Sequence, residues 1–191
     1  MTNTLIQSLL FVLQIFGGLY ILLLLLRLML PWMPDNYRNP MMQAIFAATS
    51  PLVIPVRKVL PPIGKLDTAT LMVAFGIQYL LDWLSGLLVG RLPGLLPLTI
   101  GALFGVFAHL LQLMTIAIII RIVLSWIAPD NYNPATMLIR GATDPILRPF
   151  QRVVPVIGGF DVSPIFAIAA LGVAGIVLNN LELWVVSLFA G

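Results

Sequence analysis

The sequence contains no cysteine, a single histidine and few charged residues, with only 9% Asp, Glu, Lys or Arg. The absence of cysteine excludes disulfides, thiolate metal sites, haem attached through cysteine and cysteine nucleophiles. One histidine, His109, is too few for the usual histidine spacings of a zinc site. No phosphate-binding loop and no set of nucleophile, base and orienting residue is present. We therefore expect no enzymatic activity, no bound metal and no cofactor.

Apolar residues are abundant instead, since they make up 60% of the chain and give a mean hydropathy of +1.06. Soluble globular domains contain about 25% charged residues, so this composition indicates a membrane protein. Four apolar runs reach the ~20 helical residues that cross a bilayer core. The first is interpreted as a retained span, because no small-residue cleavage site follows it. The predicted fold class is an all-α membrane protein whose four transmembrane helices cover roughly 5–30, 68–90, 98–127 and 162–189.

The second half of the chain repeats the first at an offset of 94 residues. We predict two helix–loop–helix repeats, at 1–94 and 95–191, with two spans each. Because a unit with two spans ends on the side where it began, both units have the same orientation, as parallel rather than inverted repeats. The aligned positions include Arg27 with Arg121, Trp32 with Trp126, Asn39-Pro40 with Asn133-Pro134, Thr49 with Thr143, Pro51 with Pro145, and Asp67 with Asp161.

The cations lie on one side of the predicted spans. Nine of the ten Lys and Arg residues lie in or beside the loops 31–67 and 128–161, and only Arg91 lies on the other side. By the positive-inside rule, both loops are predicted to be cytoplasmic and both termini periplasmic, in the cell inner membrane. Orientation explains these cations better than nucleic-acid binding does, so we expect no nucleic-acid partner.

Each loop is predicted to begin with a short helix, because Asn caps a helix and Pro suits its first turn at Asn39-Pro40 and Asn133-Pro134. These helices are expected to end before Pro51 and Pro145, since proline interrupts a helix. The segments that follow mix aliphatic residues, prolines and cations, which is typical of the membrane interface. We predict interfacial segments there, with the basic residues Arg57, Lys58, Arg148 and Arg152.

In order, each half contains Arg-x-x-Leu-x-Trp, Asn-Pro, Thr-x-Pro followed by Leu or Ile, basic residues, Pro-x-Ile-Gly and an Asp before its second span. This arrangement resembles the YggT (YGGT repeat) family over about residues 5–90 and 98–189. The resemblance implies a small inner-membrane protein without catalytic residues, whose relatives are linked to osmotic-shock tolerance and, in plastids, to cytochrome complex maturation. The sequence departs from the pattern at Lys65, where the second half has Gly159, and at Arg57, where it has Gln151.

The duplicated arginines lie near the predicted cytoplasmic ends of their spans, and an Asp follows each of them by 40 residues. An arginine within a span costs about 2.5–3.5 kcal/mol on insertion scales unless it is paired or reaches the headgroups. We predict the ion pairs Arg27–Asp67 and Arg121–Asp161, or an exchange of partners between repeats. The other interpretation is that each Arg extends to lipid phosphate and each Asp caps a helix. Both interpretations are structural.

A second polar set is not duplicated and lies within the apolar spans. At 1.5 Å per residue, Gln78 and Asp82 lie ~16 and ~22 Å along their helix from Asp67. One hypothesis is a cluster that handles protons or cations; the other, which we favour, is interhelical hydrogen bonding worth ~0.6 kcal/mol per contact. Glu182, ~31 Å from Asp161 by the same count, is expected at the outer interface as an anchor. The candidate cluster comprises Gln14, Gln78, Asp82, His109 and Gln112.

These features predict a non-enzymatic inner-membrane scaffold or assembly factor that acts through its cytoplasmic loops. It is expected to work in the lipid bilayer as a homo-oligomer or with a membrane-protein partner. The alternative is a subunit of an ion or osmolyte channel or transporter that uses the polar cluster around Asp82 and His109. Four short spans leave little room for a pore in a monomer, so this alternative requires oligomerisation or a partner. In a third reading, a membrane-bound enzyme, Asp82 and His109 would be the only candidate catalytic residues.

Overall fold

The structure, a computed structural model, describes residues 2–33, 39–127, 133–155 and 161–189. Within these ranges the chain forms six α-helices and no β-strand. A short 3₁₀ turn, Leu30–Trp32, extends the first helix. The helices are α1 (Thr2–Met29), α2 (Pro40–Arg57), α3 (Thr68–Val89), α4 (Leu95–Ile127), α5 (Pro134–Val153) and α6 (Ser163–Ser187).

Four of these helices, α1, α3, α4 and α6, are long and apolar enough to cross a membrane. The apolar segments run over Thr4–Trp32, Thr68–Val89, Leu95–Ile127 and Ser163–Ser187, close to the four predicted spans. Large apolar side chains stand exposed on their outer surfaces, as lipid-facing surfaces require. The all-helical fold class and the four apolar helices are thus confirmed.

Helix α4 occupies the centre of the bundle and packs against α1, α3 and α6. Its contact with α1 buries Ile21 and Leu25 against Val106 and Leu113. Helix α3 also packs along α1, where Leu24 meets Ala69, Val73 and Ala74. The buried residues on α3 and α4 are often small, which lets neighbouring helices approach closely.

The connecting helices α2 and α5 hold the two halves together at one end of the bundle. Each packs against the two long helices of its own half, and the two also pack against each other. The amide of Asn39 donates to the carbonyl oxygen of Pro134 at 2.8 Å. Met42 and Ile45 of α2 share a buried cluster with Leu138 and Ala142 of α5. Both halves therefore contribute to one core at this end.

Both connecting helices begin at the predicted caps. The side chain of Asn39 accepts a hydrogen bond from the Met41 amide, and Asn133 forms a reciprocal capping box with Thr136. Proline occupies the first helical position in each case, where its missing N–H has no helical partner to lose. The predicted Asn-Pro helix starts are confirmed.

The prediction that these helices end before Pro51 and Pro145 is wrong. Helix α2 continues through Pro51 and Pro55, and α5 through two prolines at the equivalent positions. Proline removes one N–H donor and so disturbs the carbonyls of the preceding turn. In α2, that turn receives donors from α1: Tyr20 Oη donates to the Ala48 carbonyl at 3.3 Å, and Arg27 Nη1 to the Phe46 carbonyl at 3.4 Å. Both bonds reach carbonyls next to that of Ala47, which lies four residues before Pro51 and loses its helical donor, so they tie this turn of α2 to α1 without replacing the lost bond.

Candidate functional site

Arg27 lies in a polar cage between α1, α2 and the start of α3, and only 2% of its side chain is exposed. Its Nη1 atom donates to Thr49 Oγ1 at 2.6 Å and to Ser50 Oγ at 3.2 Å. Its Nε atom lies 3.8 Å from Asp67 Oδ2, so the structure brings the predicted pair together. The ring of Phe46 covers the guanidinium, with Cζ 5.0 Å from the ring centroid. A cation buried to this degree requires such partners.

Asp67 contacts both Arg27 and Arg57 and caps the start of α3. Its carboxylate forms an ion pair with Arg57, accepts from the Thr70 hydroxyl at 2.6 Å and caps α3 through the Thr70 amide. Burial alone raises the pKa of Asp67, but the hydrogen bonds from Thr70 and the charge of Arg57 outweigh it and lower the pKa below its ordinary value. The group is therefore a carboxylate at neutral pH.

The second arginine has a different acidic partner from the one predicted. Among the described residues, Arg121 pairs with Asp144, at 2.6 Å from Nη1 to Oδ1, and donates to Thr143 at 2.8 Å. Neither the Arg121–Asp161 pair nor the exchange of partners between repeats is formed. Asp144 follows Thr143 on the part of α5 that faces Arg121.

Asp161 instead lies just before α6 and binds the side chain at the position equivalent to Arg57. It accepts from the amide of Ser163, the first residue of α6, at 2.9 Å and from Gln151 Nε2 at 2.8 Å. Burial raises its pKa, but these hydrogen bonds, together with the charge of Arg121, outweigh burial and lower the pKa below the ordinary value. The second repeat has Gln151 where the first has Arg57, and the two side chains do the same thing. Each donates a hydrogen bond to the Asp at the start of the next helix.

The predicted interfacial cations lie at the carboxyl ends of α2 and α5. Lys58, Arg148 and Arg152 are exposed, whereas Arg57 is partly buried against Asp67. Arg148 also reaches Asp144, with Nη2 3.1 Å from Oδ2. Exposed ion pairs of this kind add about 0–1 kcal/mol, so the solvent-facing cations contribute charge more than stability. We refer to Lys58, Arg148 and Arg152 as the basic ends.

Three members of the predicted polar cluster come together between the long helices. Gln78 Nε2 donates to Asp82 Oδ1 at 2.9 Å, one turn further along α3. His109 of α4 lies close enough to Asp82 to interact electrostatically, and its Nδ1 atom is 2.9 Å from the Gly105 carbonyl oxygen. In the described part of the chain, Gln78 Oε1 is buried without a hydrogen-bond partner. Gln14 and Gln112 are exposed and make no hydrogen bond to a described residue.

Glycines on α4 and α1 make room for these polar side chains. A Cβ atom at Gly105 would lie 2.8 Å from Gln78 Nε2, and one at Gly18 would lie 3.2 Å from His109 Nε2. Glu182 of α6 fits beside Gly101, one turn before Gly105, and interacts electrostatically with Asp82. It therefore lies near the cluster, and its expected place at the outer interface stays a prediction. The Gly101–Gly105 spacing was the signal that could have placed it.

The family model described as CCB3/YggT matches residues 6–88 and, again, residues 100–182. The chain belongs to the CCB3/YggT family. The two CCB3/YggT matches are themselves 94 residues apart, the offset found within the sequence. The predicted YggT resemblance and the presence of two repeats are confirmed.

Relatives in the CCB3/YggT family cover most of this chain. An uncharacterized protein of Pseudomonas aeruginosa is 39% identical over 174 residues, which cover 90% of this chain and 88% of that protein. The uncharacterized protein YggT of Escherichia coli K12 is 29% identical over 166 residues, 86% of each chain. The chloroplastic YlmG homolog protein 1-2 of Arabidopsis thaliana is 31% identical over 145 residues, 74% of this chain and 52% of that protein. No solved structure matches this chain.

Proposed function

We propose that this CCB3/YggT protein is a non-enzymatic scaffold or assembly factor that binds a protein partner through the basic ends of α2 and α5. The observation that carries this proposal is the pairing of the two connecting helices. The Asn39–Pro134 hydrogen bond and the shared apolar cluster hold α2 and α5 together outside the core of the long-helix bundle. Each of the two helices then presents exposed cations at its carboxyl end.

We further propose that α2 and α5 lie at the cytoplasmic interface of the cell inner membrane. Both termini are then periplasmic, and the two repeats are parallel in the bilayer. The distribution of cations supports this orientation, because nine of the ten Lys and Arg residues lie near the connecting loops. The cations of the basic ends would lie at the level of the headgroups or beyond it, where a cytosolic or membrane partner with an acidic surface can reach them.

We propose osmotic-stress tolerance and the maturation of membrane complexes as the processes served, on the basis of the YggT resemblance. In this role the protein works as a homo-oligomer or together with a membrane-protein partner. An assembly factor needs a surface of fixed shape rather than a reactive centre. The paired connecting helices fit that requirement better than the polar cluster does, since the members of the cluster that contact one another, Gln78, Asp82 and His109, lie between the long helices and are buried or partly buried.

The test is rescue of hyperosmotic growth in a strain that lacks its own copy of the protein. The variant Lys58→Gln/Arg148→Gln/Arg152→Gln removes the basic ends and is expected to lose rescue. The control is Arg91→Gln, which removes the one cation expected on the opposite side and is expected to rescue fully. Membrane levels of each variant are compared by immunoblot. Full rescue by the triple variant at normal level contradicts the scaffold proposal.

The same assay separates the scaffold from a channel or transporter that uses the polar cluster. Asp82→Asn keeps the size of the side chain and can still accept a hydrogen bond from Gln78, so a scaffold is expected to tolerate it. A transporter that binds a proton or cation at Asp82 would fail, because the charge is lost. Loss of rescue by Asp82→Asn at normal protein level, with the triple variant intact, would replace the scaffold by the channel or transporter.

A further inference from the structure

A cleft of about 690 Å³ lies in the second repeat, between the end of α4, the first turns of α5 and the start of α6. Its volume is within the range of about 300–1,000 Å³ found for small-molecule sites. One part of the wall is apolar and includes Ile122, Trp126, Ile139 and Ile165. Helix α4 ends and α6 begins at this cleft, and both are long and apolar enough to cross a membrane. We therefore expect the cleft to open where lipid headgroups meet hydrocarbon.

The rest of the wall carries charges of both signs. Arg121, Arg140 and Asp161 line the cleft. Each carboxylate oxygen of Asp161 already accepts one hydrogen bond, from Ser163 or Gln151, and can accept another. Arg121 keeps 23% of its side chain exposed although it pairs with Asp144. The pKa of Asp161 is lowered by its hydrogen bonds, so the carboxylate remains ionised at neutral pH. The cleft therefore places guanidinium groups and a carboxylate side by side above an apolar wall.

The first repeat is built differently at the equivalent place. The residue that corresponds to Arg140 is Phe46, whose ring stacks on Arg27. Arg27 is also enclosed by Thr49, Ser50 and Asp67, which leaves it almost without exposure. In this half, described side chains enclose the arginine, although its Nε atom, 3.8 Å from Asp67 Oδ2, has no hydrogen-bond partner among the described residues. The second repeat instead leaves Arg121 partly open and adds a second guanidinium beside it.

We propose that this cleft binds the headgroup of a zwitterionic aminophospholipid, with the phosphate beside Arg121 and Arg140 and the ammonium beside Asp161. Guanidinium groups bind phosphate oxygens with charge-assisted hydrogen bonds, and a primary ammonium supplies the N–H donors that a carboxylate accepts. The glycerol and upper chain carbons then lie along Ile122 and Ile165. This assignment goes beyond the scaffold role and does not rest on it.

Charge complementarity favours this lipid class over the other common ones. An anionic headgroup without an amine would satisfy the guanidinium groups but would leave Asp161 facing a phosphate, a like-charge contact that lowers affinity. A choline headgroup carries the same net charge as an ethanolamine headgroup but has no N–H donor for the carboxylate. Free phosphate lacks both the amine and the chains that contact the apolar wall.

The experiment measures thermal unfolding of the delipidated full chain in neutral maltoside micelles. Phosphatidylethanolamine, phosphatidylglycerol, phosphatidylcholine or inorganic phosphate is titrated into separate samples. We expect phosphatidylethanolamine to raise the unfolding midpoint saturably, since a ligand of the folded state stabilises it. Its half-saturating concentration is expected to be about tenfold lower than that of the other two lipids, the ratio for one additional contact of typical strength. Inorganic phosphate is expected to have no effect.

Ser125→Phe tests the location, because Ser125 lines the cleft and, among the described residues, its hydroxyl bonds to the Ile122 carbonyl of its own helix. The bulky side chain is expected to abolish the shift caused by phosphatidylethanolamine. Ser187→Phe is the matched control: Ser187 is also near a helix end and bonds to the carbonyl three residues before it, but it lies outside the cleft. This control is expected to keep the wild-type response.

Asp161→Asn tests the ammonium contact. It is expected to remove the preference for phosphatidylethanolamine over phosphatidylglycerol while leaving some response to both lipids. The proposal is overturned if Ser125→Phe responds like the wild type, or if phosphatidylglycerol, phosphatidylcholine or inorganic phosphate stabilises the wild-type protein as strongly as phosphatidylethanolamine. If Asp161→Asn fails to fold, the comparison of Ser125→Phe with Ser187→Phe still decides the location.

Discussion

Nη1 of Arg121 lies 2.6 Å from Oδ1 of Asp144, which stands 94 residues after Ser50, a hydrogen-bond acceptor of Arg27. The second repeat therefore has a carboxylate at the place where the first has a hydroxyl. The first repeat brings its carboxylate from Asp67, at the start of the following helix. Each duplicated arginine thus has one acidic partner, but the two repeats take it from different positions.

The Arg121–Asp144 pair is expected to show stronger coupling than Arg121 and Asp161, which interact only through their charges. Arg121→Ala and Asp144→Ala are each expected to lower the free energy of unfolding, and the double variant is expected to lose about 0.5–2 kcal/mol less than the sum. Reversible unfolding in detergent micelles gives these values. The matched cycle of Arg121→Ala with Asp161→Ala is expected to be additive within about 0.5 kcal/mol. Equal coupling in both cycles would contradict the observed choice of partner.

Asp67 is expected to make stability depend on pH on the acid side. Its folded pKa is lowered, so its contribution is present above the unfolded pKa, near 3.9, and is lost as the pH falls through the folded value. Asp67→Asn keeps a capping side chain but loses the charge, at a cost of about 1–3 kcal/mol at neutral pH. The difference between wild type and variant is expected to shrink at about pH 3.

Unfolding midpoints at neutral pH and at about pH 3 measure this change. Asp161→Asn serves as the comparison, because Asp161 is exposed and forms no ion pair with a described residue. Its effect is expected to be smaller at every pH. If the difference in unfolding midpoint between the wild type and Asp67→Asn stays constant across this range, Asp67 is not an ionised partner of Arg27 and Arg57.

Gly105→Ala is expected to destabilise the bundle because its Cβ would lie 2.8 Å from Gln78 Nε2. Overpacking of this kind costs about 1–3 kcal/mol, and Gln78 would move away from Asp82. Adding Gln78→Ala removes the clash, so the double variant is expected to be more stable than the sum of the two changes predicts. Gly172→Ala, where nothing lies within 4 Å, is the neutral control. Equal thermal unfolding midpoints for Gly105→Ala and Gly172→Ala contradict the close packing.

Single cysteines test the proposed orientation, since the chain contains none of its own. Cysteines at Thr2 and Gly191 are expected to react with an impermeant thiol reagent added to the periplasmic side of cells. Cysteines at Lys58 and Arg152, both exposed in the structure, are expected to react only after the inner membrane is permeabilised. The reverse pattern would invert the topology and move the basic ends to the periplasm.

The four apolar helices could be predicted from the sequence because hydrocarbon imposes their length and composition. The continuation of α2 through Pro51 could not, because it depends on tertiary packing, and Tyr20 and Arg27 of α1 contact this turn of α2. Local proline chemistry correctly identifies a lost N–H but does not show how the helix packs against its neighbours. For the same reason, helix boundaries near proline are hard to place from a single sequence.

Part of the candidate site could be predicted from the repeat, namely the duplicated arginines and the Asp that follows each of them, but the partner of Arg121 could not. The contact between Arg27 and Asp67 follows from a span end and the next span start, but Asp144 competes for Arg121 from within α5. Aligning the repeats places Asp144 opposite Ser50, and this difference was the sequence feature that could have indicated a second acidic partner for Arg121. The approach of Glu182 to Gly101 and Asp82 was not predicted, because it depends on how α6 packs on α4.

The most direct test of the scaffold proposal is photo-crosslinking in living cells from Lys58 and Arg152, each replaced by a benzoyl-phenylalanine residue. The same residue at Val173, exposed on α6, is the membrane-facing control. We predict that positions 58 and 152 give the same protein adduct, identified by mass spectrometry, and that Val173 does not. The adduct is expected to disappear when Arg148→Gln is added. Absence of a shared protein adduct at Lys58 and Arg152, in cells where these variants still restore hyperosmotic growth, would contradict the account.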